Sequence, residues 1–79
     1  MRILVLDDQE IIRVQLKRIL QKSGYAVTEA SDARTALEIL DREPMDLVLS
    51  DIRMPGMTGL ELMKTIAARV PDIAVVMVS

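Results

Sequence analysis

The chain has no cysteine, histidine, tryptophan or phenylalanine, and a single tyrosine among its 79 residues. The lack of cysteine excludes a disulfide framework and thiolate metal sites, and the lack of histidine excludes imidazole chemistry. With so few rings the core must be aliphatic, built from Ile, Leu, Val, Ala and Met. No stretch approaches the ~18–20 apolar residues of a membrane span. Residues 2–6 are too short for a signal-peptide core, and acids follow at once. A cytoplasmic location and no membrane contact are therefore expected. Net charge is −2 with scattered basic residues, so there is no nucleic-acid footprint.

What is present is apolar and patterned. Hydrophobic residues make up 51% of the chain and charged ones 28%, a globular composition. At 79 residues it is one domain at most. A domain this small buries only about 60–65% of its unfolded surface, so the apolar excess hints that part of a fold is missing. Four strand-like runs occupy residues 3–6, 25–30, 46–49 and 73–78, with three segments of helical period between them. In the first, Ile12, Leu16, Ile19 and Leu20 form one face, Arg13, Lys17, Arg18 and Lys22 are available to water, and Gly24 is the C′ residue. In the second, Asp32 is the N-cap, Ala33, Ala36, Leu37 and Leu40 form the stripe, and Pro44 bars continuation. The third opens with the capping-box spacing of Thr58 and Glu61, presents Gly59, Leu62, Met63, Ile66, Ala67 and Val70, and closes at Pro71. Alternating strands and helices predict an α/β fold with a parallel sheet and right-handed crossovers.

Three acids stand where these runs stop: Asp7 and Asp8 after "ILVL", and Asp51 in "LVLSDIRMPGMTG". The carboxyl ends of parallel strands are where open α/β sheets place ligands. A lone Asp after a strand is usually a turn residue or an N-cap, and the Asp7–Asp8 pair has that reading too. If strands 1 and 3 are neighbours these acids converge, and they repel unless a proton or cation intervenes, which implies a divalent ion; magnesium suits such oxygen donors.

The pieces "ILVLDDQEIIRVQLKRIL", "GYAVTEASDARTALEIL", "DLVLSDIRMPGMTGLELM" and "IAVVMVS" are collinear and span nearly the whole chain. Together they closely resemble the receiver domain of bacterial two-component response regulators. The resemblance implies a flavodoxin-like sheet of order 2-1-3-4. It makes Asp51 the phosphoacceptor for a sensor histidine kinase's phosphohistidine. Asp8 would then ligate magnesium directly, Asp7 mainly through water, and the Arg53 backbone carbonyl would complete the protein ligands. Ser79 matches the switch hydroxyl. Such a domain is regulatory, an enzyme only toward its own phosphorylation and dephosphorylation. Met54, Pro55 and Gly56 suit a tight turn that holds Asp51 and the Arg53 carbonyl, Met57 suits packing, and the Arg53 side chain is expected in solvent.

Set against that family, the chain is expected to be an amino-terminal fragment, ending before helix 4, strand 5 with its lysine, and helix 5, and without an effector domain. Lys17, Lys22 and Lys64 lie on helical segments and do not replace the lysine. Labelling of the chain as it stands is accordingly expected to be poor. The run from Ile73 to Val78 has no alternation and asks for cover on both faces. Leaving four such side chains half-covered forfeits about 3–6 kcal/mol, against about 5–15 for a whole domain. This strand is therefore expected to pair two copies in a homodimer or larger oligomer. A self-associating half-fold without signalling competence is the alternative. A haloacid-dehalogenase-like phosphatase would want a second Asp two positions after the first, where Gln9 stands. A nucleotide-binding domain would want a Gly-rich loop after the first strand.

Overall fold

Strand and helix alternate along the chain as expected. A computed structural model describes residues 1–51 and 59–78. Its elements are β1 (Arg2–Leu6), α1 (Glu10–Lys22), β2 (Ala26–Ala30), α2 (Ala33–Arg42), β3 (Leu47–Asp51), α3 (Gly59–Arg69) and β4 (Ala74–Val78). The strands make one parallel sheet in the order β2-β1-β3-β4. Residues 52–58, with the expected turn at Met54, Pro55 and Gly56 and the expected capping residue Thr58, lie outside the described residues, as does Ser79.

Side chains alternate across a strand, so each strand feeds two layers. Leu4, Leu6, Ala30 and Val48 join Ala33, Ala36, Ile39 and Leu40 of α2 and Leu62 and Ile66 of α3 in the main core. The other face of β1 carries Ile3 and Val5, on the side where α1 lies over β1 and β2. Ile3 through Leu6 are all buried, which is why this run has no polar alternation.

The helix ends follow local chemistry. Past α1, Gly24 adopts φ +92°. Its N–H donates to the Gln21 carbonyl at 3.0 Å, and the Tyr25 N–H to that of Leu20 at 3.2 Å, a Schellman closure. At the start of α2 the Asp32 carboxylate accepts the Thr35 N–H at 2.7 Å. Both agree with the sequence reading.

Three expectations are corrected. Asp51 is the last residue of β3 rather than the one that follows it. In α1 no residue is buried, Ile12 and Ile19 are exposed, and the inward side carries Arg13 and Lys17 with Leu16 and Leu20. The cause is charge: the helix lies over β2, and Glu29 on that strand pairs with both cations. In α3, Met63 and Ala67 are exposed, and among the described residues only Leu62 and Ile66, one turn apart on one face, reach the core.

β4 is the edge strand the topology required, paired with β3 alone among the described residues. Val75 packs against the main core. Val76 and Val78, on the opposite face, are 45% and 42% exposed.

Candidate functional site

The site is built by strand register. Leu6 pairs with Ala30 of β2 on one side and with Ser50 of β3 on the other, so Asp7 and Asp51 stand level with each other at the strand ends. The Asp7 N–H extends the ladder by donating to the Ala30 carbonyl at 3.2 Å. Its carboxylate accepts the Gln9 N–H at 2.8 Å, closing the turn into α1. Asp7 is buried, Asp51 half-buried and Asp8 exposed. One carboxylate oxygen from each lies within 4.8 Å of the other two. A cavity of about 220 Å³ opens beside them, lined by Asp7, Asp51, Ile12, Leu16, Leu49 and Val78. It has an acidic end and an apolar wall. Ser50, fully buried under the site, donates its hydroxyl to the Asp51 carbonyl at 3.1 Å.

The converging carboxylates supply hard oxygen donors of the kind that magnesium takes, one or two of them directly, while it keeps several waters of its own. The structure thus brings together the predicted acids Asp7, Asp8 and Asp51. The two other predicted site residues, Arg53 and Ser79, lie outside the described residues. Lys17 is engaged with Glu29 at 3.2 Å, and Lys22 and Lys64 are exposed on their helices.

Sequence reasoning missed Arg13. Its guanidinium donates from Nη1 to the Asp7 carbonyl at 2.8 Å and from Nε to Glu29 at 3.1 Å. One signal was available: Arg13 is three residues before Leu16 and seven before Leu20, on the stripe those leucines share.

Residues 3–79 match the response regulator receiver domain family. The chain belongs to that family. The receiver domain is 43% identical over 63 residues to sporulation initiation phosphotransferase F of Bacillus subtilis, covering 80% of this chain and 51% of that protein. It thus spans about half the length of that relative. Among solved structures it superimposes on response regulator TrrA of Thermotoga maritima in complex with Mg²⁺-BeF, with a TM-score of 0.91 and 39% identity over 96% of this chain and 66% of that one. TrrA in complex with histidine kinase ThkA gives a TM-score of 0.90 at the same identity and coverage. The receiver fold, with its sheet order and three helices, is that of these neighbours. No described helix is long and apolar enough to cross a membrane.

Proposed function

We propose that the receiver domain accepts a phosphoryl group on Asp51 from the phosphohistidine of a sensor histidine kinase in the cytoplasm. Magnesium would be held by Asp7, Asp8, Asp51 and the Arg53 carbonyl. The observation that carries this reading is the convergence of three carboxylates within 4.8 Å at the ends of β1 and β3. Magnesium, when bound, neutralises the acids and the charge on the phosphoryl oxygens. Asp51 does the covalent work: its carboxylate oxygen forms the new P–O bond as the donor's P–N bond breaks, with no protein base needed. That accords with a chain that has no histidine. Asp8, exposed at the rim, would ligate the ion directly, and buried Asp7 would act mainly through water. Ser79, by its match to the family's switch hydroxyl, would donate to a phosphoryl oxygen in the activated state. TrrA with Mg²⁺-BeF and with its kinase supports both the cofactor and the partner class.

Incubation with acetyl phosphate and magnesium tests this reading by intact mass. Slow addition of one phosphoryl group is expected, absent in Asp51→Asn. Label persisting in that variant contradicts the assignment. The alternative of a half-fold without signalling competence gains no support from the relatives. Self-association through β4 is a separate reading, favoured by the exposure of Val76 and Val78 on an edge strand.

A further inference from the structure

We propose that Arg13 is a positioning residue for the acid cluster: gripped by Glu29, it fixes the Asp7 carbonyl and so orients the peptide that carries Asp8. The inference rests on the metal site proposed above and names what holds that site in shape.

Asp7 is tied at three points, and Arg13 supplies one of them. Its N–H is on the Ala30 carbonyl at 3.2 Å and its carboxylate on the Gln9 N–H at 2.8 Å. Its carbonyl is on Arg13 Nη1 at 2.8 Å. The Asp7–Asp8 peptide is planar, so anchoring the carbonyl oxygen also sets the direction in which the Asp8 N–H and Cα leave β1. Asp8 is the exposed member of the cluster, so its backbone carries much of its orientation.

The grip on Arg13 is itself built. Glu29, on β2, takes Arg13 Nε at 3.1 Å and Lys17 Nζ at 3.2 Å, one on each carboxylate oxygen. The Arg13 and Glu29 side chains are 16% and 26% exposed, well below the 44% and 39% of the Arg2–Glu43 pair. A guanidinium presents several donors in one rigid plane and can divide them between a carboxylate and a carbonyl. A lysine ammonium at the same position is a point charge without that fork. Groups that orient metal ligands typically govern metal affinity by about 10–100-fold.

The test is a magnesium titration of the full chain followed by amide chemical shifts, in the unaltered protein and in Arg13→Lys, Arg13→Met, Glu29→Gln and Arg2→Met. Arg13→Met should weaken magnesium by about tenfold or more. Arg13→Lys, which keeps the charge, should weaken it nearly as much, and the Asp8 and Gln9 amides of both should be displaced before any metal is added. Glu29→Gln leaves Arg13 present but loosely held; it should shift affinity the same way by less, and it serves if Arg13→Met does not fold. Arg2→Met breaks an ion pair at the opposite end of β1 and should leave affinity unchanged. Unaltered magnesium affinity in the Arg13 variants overturns the inference alone. Failure of the unaltered chain to respond at residues 7–9 and 51 overturns the metal site, and the inference with it.

Discussion

Asp7 and Asp51 each stand one residue beyond the paired Leu6 and Ser50 on adjacent parallel strands, and their carboxylate oxygens come within 4.8 Å. This relationship is set by the ladder. The buried side chains that fix the register of β1 against β3, Leu4, Leu6 and Val48, also fix the spacing of the acids. Core packing and site chemistry are two consequences of one pairing.

Magnesium should therefore stabilise the fold. At a concentration tenfold above its dissociation constant, an ion bound only by the folded state adds about 1.4 kcal/mol. Thermal unfolding with and without magnesium should show a rise in Tm for the unaltered protein and a much smaller one for Asp51→Asn. An equal rise in both would place the ion elsewhere.

The cap at Asp32 gives a pH signature. The Thr35 backbone N–H, then the Thr35 hydroxyl, and further the Arg34 charge hold its carboxyl below the ordinary value of 3.8, outweighing a small desolvation effect. A lowered folded-state value means the stabilisation is present above the unfolded value and is lost as pH falls through the folded one. Asp32→Ala should cost about 0.5–2 kcal/mol near neutrality. That deficit should shrink as pH drops below 3.8. Denaturant unfolding at neutral and acid pH reads both.

In α3 the two buried residues should dominate. Leu62→Ala and Ile66→Ala each open a cavity in the main core and should cost about 2–5 kcal/mol. Met63→Ala, at an exposed position, should stay within about 0.5 kcal/mol. Comparable losses at all three would contradict the observed orientation of the helix.

The edge strand predicts self-association. At micromolar concentration the chain should sediment as a dimer or larger species, paired through β4 with its exposed Val76 and Val78. Val76→Lys puts a charge in that apolar seam and should dissociate or unfold the assembly. A folded monomer unaffected by the substitution would rule this out.

The alternation of strands and helices, the Gly24 closure and the Asp32 cap were legible in the sequence, because each depends on period or local turn chemistry; the sheet order, and with it the meeting of Asp7, Asp8 and Asp51, followed from the family resemblance. The orientation of α1 was not. Apolar period alone pointed Ile19 inward and Arg13 outward, whereas the helix is turned by a charge on another element, Glu29, whose distance in sequence hides the pairing. Met63 and Ala67 misled for a related reason: apolar character widens a predicted stripe, but only the residues centred over the sheet are covered.

The most direct test of the acid cluster as the working site is a magnesium titration of the unaltered chain followed residue by residue through amide chemical shifts. The first and largest shifts should fall at residues 7–9 and around 51, saturating together with one dissociation constant. Shifts confined to Glu38, Glu43 or Glu61, with residues 7–9 unmoved, would contradict the account.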